Sequence, residues 1–239
     1  LGYRFAVYAQ DLLENYLRLR ALFHALRGKG MKGAVGTQAS FQDILMRTQM
    51  SALEMEAIVM QALDLPYFTI ATQTYTRQQD LTVTQLLASL AASLHKFALD
   101  FRILQSPPFG EWAEPFGKKQ VGSSAMPFKR NPINTENICS LARYVAASPE
   151  VMWDNASQAI LERSLDDSAN RRIVLAESFL ATDELLDRSV RIVRDIRVDE
   201  QVIKRNMVQY GPFAATERIM MAMVSAGADR QESHEWLRQ

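Results

Sequence analysis

The residues from Gln120 to Glu136 read QVGSSAMPFKRNPINTE and join a hydroxyl-bearing loop to a cationic helix start. Gly122 admits backbone conformations closed to other residues, and Ser123 and Ser124 follow it with small side chains that can approach a ligand closely. Asn131 offers an N-cap oxygen and Pro132 suits the first helical position, where its missing N–H costs nothing. A helix end of this kind presents unpaired N–H groups and a partial positive charge, to which Lys129 and Arg130 add full charges. The chemistry this allows is a serine held next to an anion. The alternative is an ordinary capped helix after a flexible loop.

A second group of the same character lies at Glu162 to Arg172, ERSLDDSANRR. Asp166 or Asp167 can cap a helix, which puts Ser168 and Arg172 one turn apart on one face, with Arg163 approaching from the preceding segment. Together they can grip a phosphate or carboxylate at a helix N-terminus. The competing reading is a capped surface helix in which Asp167 pairs with Arg171 at i,i+4 spacing. Gly28, Gly30, Gly33 and Gly36, with Lys29 and Lys32 among them, form either an anion cradle or a solvated turn, and Thr37 can cap the helix that follows. In TYTRQQD, Arg77 and Asp80 stand ahead of a long helix, as caps or as site residues.

The elements that must position these groups are helical. Phe5, Tyr8, Leu12, Tyr16, Leu19, Phe23 and Leu26 recur every three or four residues and predict a helix from about Tyr3 to Arg27. Ser51 to Leu63 reads as a short helix, and the Thr- and Tyr-rich stretch to Thr76 carries no clear periodicity. Val83, Leu87, Leu90, Leu94, Phe97, Phe101 and Leu104 alternate spacings of four and three, the seam of a helix in a bundle, and Ala88, Ala91, Ala92 and Ala98 allow close neighbours. Pro107 and Pro108 end it. Ile138, Leu141, Val145 and Val151 extend the helix begun at Pro132, with a break or kink at Pro149. Leu175 to Ile196 form another long seam, and Val198 to Gln239 holds shorter helices broken at Gly211–Pro212 and at Gly227.

Composition agrees with an all-α protein. Among 239 residues, 48% are hydrophobic, enough for a packed core, with only 10 glycines and 8 prolines; average usage is about 7% and about 5%. Lys plus Arg equals Asp plus Glu at 27 each, so the chain has no net charge to draw it to nucleic acid or an anionic membrane. The single cysteine, Cys139, excludes an internal disulfide and fits the cytoplasm. No apolar run approaches the roughly 20 residues of a membrane span. His24, His95 and His234 are scattered, so no metal site is expected.

GSSAMPFKRNP resembles the signature of the fumarase and aspartase superfamily, GSSxMPxKxNP, and matches every fixed position in order. Members of that superfamily eliminate fumarate from a substituted succinate. Within it, KGAVGTQASF (Lys32 to Phe41), LERSLDDSANRR and PFAATERIMMAMVSAG are similar to segments of the adenylosuccinate lyases. The resemblance implies a long-helix bundle of the fumarase/aspartase type, with residues 1–197 as the central bundle and 198–239 as the beginning of a small helical C-terminal domain.

By the same resemblance Ser123 is the base, Lys129 and the following helix start stabilise its anion, and Glu136 orients a catalytic histidine. Gln38, Asn131, Arg163, Ser168 and Arg172 fall on substrate-binding positions, Asn131 holding a carboxylate and the last three the nucleotide. The family's general-acid histidine belongs to a Thr-His motif that would lie upstream of Leu1, so this span alone is expected to be catalytically incomplete. The resemblance also implies a small nucleotide substrate, no nucleic-acid partner, no cofactor, and a homotetramer with shared sites. Argininosuccinate lyase is the nearest alternative enzyme, and a non-catalytic helical assembly module is the alternative of a different class.

Overall fold

The computed structural model describes residues 1–117, 125, 126 and 128–239. The described residues are predominantly helical, as the spacing of apolar residues predicts: α1 (Gly2–Ala25), α2 (Ala39–Leu45), α3 (Ala52–Ala62), α4 (Gln78–Gln105), α5 (Ile133–Ser157), α6 (Asp167–Arg194), α7 (Glu200–Ala214), α8 (Thr216–Ser225) and α9 (Arg230–Arg238). Two compact units can be distinguished, one formed by 1–99 and 134–191 and the other by 100–133 and 192–239.

In the first unit the predicted α4 seam is the core. Leu87, Leu90, Leu94 and Phe97 are buried, and Ala91 and Ala98 are fully enclosed. Tyr8 of α1 meets Phe97 edge to face at 5.4 Å, and Asn15 of α1 donates to Ser93 Oγ of α4 at 2.7 Å, so the one buried amide of α1 is satisfied across the contact. From α5 come Ile138, Val145 and Met152, all without exposed surface. On α6 the buried hydroxyls of Ser178, Thr182 and Ser189 each donate to the carbonyl four residues earlier, at 2.6 to 2.7 Å. That back-bonding lets a polar stripe be buried without partners on another helix.

The glycine-rich loop is neither a solvated turn nor an open anion cradle. Glu56 of α3 fills it: its Oε1 accepts the Met31 N–H at 2.7 Å, and its Oε2 accepts Lys32 Nζ at 2.6 Å and Gln38 Nε2 at 3.2 Å. Lys32 and Glu56 retain 3% and 1% of their exposure, so the charge is neutralised within the fold. Gly30 (φ +82°) is required, because a Cβ there would lie 2.2 Å from Glu56 Oε1. Ser51 caps α3 in a reciprocal capping box with Glu54. At the start of α2 the N-cap position falls on Gln38, in left-handed conformation, while Thr37 Oγ1 reaches only the Ala39 N–H, at 3.4 Å.

In the second unit Trp112 stacks on Phe101 with ring centroids 5.0 Å apart, and its indole N–H donates to the Phe101 carbonyl at 3.2 Å. This anchors a short antiparallel ribbon, β1 (Trp112–Ala113) against β2 (Arg197–Val198), that no periodicity foretells. Asp199 and Asp229 cap α7 and α9, each accepting two backbone N–H groups. Gly227, at φ +99°, ends α8 as expected. Neither proline breaks its helix: α5 runs through Pro149 without the break that is one of two expectations there, and α7 runs through Gly211–Pro212, where an interruption is expected. A proline removes one ladder bond, and near the end of α7 the Ala215 N–H closes the turn by reaching the carbonyls of both Gly211 and Pro212.

Two outcomes are expected in denaturant unfolding monitored by circular dichroism. Glu56→Ala strands Lys32 and should cost about 3–5 kcal/mol; replacing both with apolar residues, Lys32→Met with Glu56→Leu, should cost clearly less, and an equal cost would show that packing rather than charge sets the penalty. Phe101→Ala should cost about 3–5 kcal/mol through the cavity left against Trp112.

Candidate active site

Of the signature stretch, residues 120–124 and 127 lie outside the described residues, and with them the predicted base Ser123. The exit arm is described. The Lys129 N–H donates to the Met126 carbonyl at 3.0 Å, and that of Ile133 to the Asn131 carbonyl at 2.9 Å, so the chain turns twice before α5 begins one residue after Pro132. Gln105, at the end of α4, ties the exit arm to the entry arm: its Oε1 accepts the Glu114 N–H at 2.8 Å and its Nε2 donates to the Arg130 carbonyl at 3.2 Å. The Arg130 guanidinium lies 5.1 Å from the centroid of the Phe116 ring, a second link between the arms.

Lys129 and Asn131, with Arg102, Gln105, Arg130 and Pro132, line a cavity of about 440 Å³ in the second unit. Its charged lining is entirely cationic among these residues, so an anion is the ligand it favours. Lys129 is exposed and Asn131 half-buried. Glu136 belongs to the first unit, exposed in the first turn of α5.

The second predicted group is built at the start of α6, in the first unit. Arg163 is exposed and lines a cavity of about 270 Å³ with Tyr75, Arg77, Asn155, Ser164 and Asp167. Ser168 and Arg172 do not line it. Ser168 is half-buried, its N–H closing a turn onto the Leu165 carbonyl at 3.1 Å, and Arg172 is exposed one turn along. The start of α6 is tied to α5 by Asn155 and Asn170, whose amides exchange hydrogen bonds at 2.9 and 3.0 Å.

The expected Asp167–Arg171 pair is replaced by two longer-range ones. Asp167, the first residue of α6, accepts from Arg77 Nε through its Oδ2 at 2.5 Å, while its buried Oδ1 has no hydrogen-bond partner among the described residues. Arg171 Nε bonds Asp80 Oδ2 at 2.5 Å, and its Nη2 donates to the Tyr75 hydroxyl, which in turn donates to Asp80 Oδ1 at 2.7 Å. An exposed i,i+4 pair is worth a few tenths of a kcal/mol, and a partly buried, charge-assisted one more, so the distant partners win. Arg77 and Arg171 also lie over the Tyr75 ring, 5.1 and 5.4 Å from its centroid. Burial, and then the hydrogen bond to Asp80, push the Tyr75 hydroxyl above the usual tyrosine range, so it stays a donor. The bond to Asp80 likewise raises the Arg171 guanidinium, and the ion is held in its charged form.

Local sequence had offered Arg77 and Asp80 as caps or weak site residues and had not singled out Tyr75. Only the pairing across some 90 residues shows their role, |i−j| being 90 for Arg77–Asp167 and 91 for Arg171–Asp80. Gln38 lies apart from this cavity's lining. Its side-chain amide donates to the Met31 carbonyl at 2.9 Å and to Glu56. Among the described residues, no group of three or more His, Cys, Asp or Glu side chains could hold a metal ion, and no helix is long and apolar enough to cross a membrane.

A curated adenylosuccinate lyase of Schistosoma mansoni is 44% identical over all of this chain and 50% of its own length, and that of Archaeoglobus fulgidus is 38% identical over all of this chain and 52% of its own. The chain thus spans about half the length of the curated relatives it matches. Among solved structures, the 3-carboxy-cis,cis-muconate lactonizing enzyme of Pseudomonas putida superposes with a TM-score of 0.81 over all of this chain and 51% of that one, at 24% identity, which establishes the shared fold. The family model described as lyase matches residues 1–147, more than half of the chain, and the chain therefore belongs to that lyase family.

Proposed function

We propose that the protein to which this chain belongs is a C–N lyase that releases fumarate from succinyl-AMP, and from the related ribonucleotide SAICAR, in purine biosynthesis. The observation that carries the reading is similarity to adenylosuccinate lyases along the whole chain, at 36–44% identity, joined to a cationic group at the start of α6.

In this reading Arg163, Ser168 and Arg172 hold the nucleotide, the two guanidiniums supplying charge and the start of α6 supplying oriented N–H groups. Asn131 binds a carboxylate of the succinyl group, and Gln38 contributes a further substrate contact. Ser123 takes the proton beside a carboxylate, and the carbanion is held as an aci-carboxylate. The C–N bond then breaks as the leaving nitrogen is protonated, giving fumarate and AMP. A serine hydroxyl needs positive charge and oriented dipoles to act as a base, and Lys129 with the N-terminus of α5 is the source assigned to it. Glu136 orients the histidine that protonates the nitrogen, a residue supplied from outside this span. Residues 1–197 form the central bundle and 198–239 begin the C-terminal domain; the protein works in the cytoplasm as a homotetramer with sites shared between subunits and needs no cofactor.

In the parent protein, Ser123→Ala should lower the rate of fumarate release by roughly 10²–10⁴ while leaving the circular dichroism spectrum unchanged; unaltered turnover would remove Ser123 from the mechanism. The 239 residues alone should release no fumarate under conditions where the parent protein does, and turnover by this span would refute the assignment of the proton donor to another segment.

A further inference from the structure

The NRR sequence at Asn170 to Arg172 offers two adjacent arginines to any anion at the start of α6, and the structure treats them differently. Arg172 is exposed. Arg171 is engaged: its Nε bonds Asp80 Oδ2 at 2.5 Å, and its Nη2 reaches Asp80 Oδ1 at 3.4 Å and the Tyr75 hydroxyl. Asp80 is 5% exposed and lies in the first turn of α4. Beside this pair, Arg77 bonds Asp167 at 2.5 Å, and Arg77 Nη1 lies 3.9 Å from Asp80 Oδ2. Four charges and one hydroxyl therefore connect two segments that the chain separates by about 90 residues, and both links meet the first turns of α6.

A helix start held at two positions four residues apart cannot rotate about its axis, since each link fixes one point of the same turn. Ser168 and Arg172 lie between and just beyond those points. We propose that Asp80 is a positioning residue for substrate binding, acting through Arg171 to aim Ser168 and Arg172, and that Arg171 itself makes no contact with the substrate. This inference rests on the reading of Ser168 and Arg172 as nucleotide ligands.

The test is a double-mutant cycle in the full-length protein, with steady-state fumarate release from succinyl-AMP as the readout. Asp80→Asn keeps shape and removes charge. Because it misplaces groups that hold the nucleotide in ground and transition states alike, it should raise KM roughly tenfold or more and leave kcat within about threefold. In an Arg172→Ala background the same change should raise KM by less than about threefold, since of the two groups being aimed the charged one is gone. An equal KM effect in both backgrounds, or a loss confined to thermal stability, overturns the proposal and leaves Asp80 a structural residue. If Asp80→Asn does not fold, Tyr75→Phe retains the ring over which both guanidiniums lie and removes the hydroxyl; it should raise KM several-fold with the same dependence on Arg172. An unaltered protein that releases no fumarate overturns the lyase reading together with this inference, whereas an active protein whose KM ignores both variants overturns this inference alone.

Discussion

A charge taken out of water must meet an opposite charge, and in this chain that requirement decides which distant segments are brought together. Lys32 and Glu56 have almost no exposed surface, and the loop from Gly28 to Gln38 takes its shape around their contact. Asp80 and Asp167, also buried, draw Arg171 and Arg77 from the far side of the sequence. Apolar burial supplies most of the folding free energy, but it is indifferent to small rotations of a helix about its axis. Hydrogen-bonded ion pairs are not, and they give the start of α6 one orientation.

The helices themselves are products of periodicity. From Leu87 to Leu104 the α4 seam is buried where its spacing says it should be, and Ala91 and Ala98 of that helix lie fully enclosed, while Ala92 faces outward. Long helices have a positional use, because a loop tethered to a rigid helix terminus can be placed accurately without being large. Gln105 is an instance: standing at the end of α4, its amide reaches both arms flanking the signature segment.

Much of this was legible in the residues alone. Apolar spacing marks each long helix, whereas GSSAMPFKRNP and LERSLDDSANRR stand out through their resemblance to lyase segments, since their residue types alone fit an ordinary capped helix as well. Proline was a poorer guide. Pro149 and Pro212 each cost one backbone bond, which the surrounding helix absorbs. The ion pairs were not legible, since Asp167 and Arg171 stand at helical spacing and a local pair satisfies every rule that sequence can apply. The preference for Arg77 and Asp80 depends on burial, which is a property of the assembled bundle. The same holds for the glycine-rich loop: nothing near Lys32 announces that Glu56 will occupy the space that an anion cradle would offer a ligand.

If the start of α6 recognises a nucleotide in the full-length protein, the choice of substrate will reveal it. The most direct measurement is the rate of fumarate release by the full-length protein from succinyl-AMP and from argininosuccinate, compared side by side. The account predicts turnover of succinyl-AMP and none of argininosuccinate, which carries no phosphate for Arg163 and Arg172 to hold. Turnover of argininosuccinate in preference to succinyl-AMP would contradict it, and would make the basic group at α6 a feature of the fold rather than of the substrate.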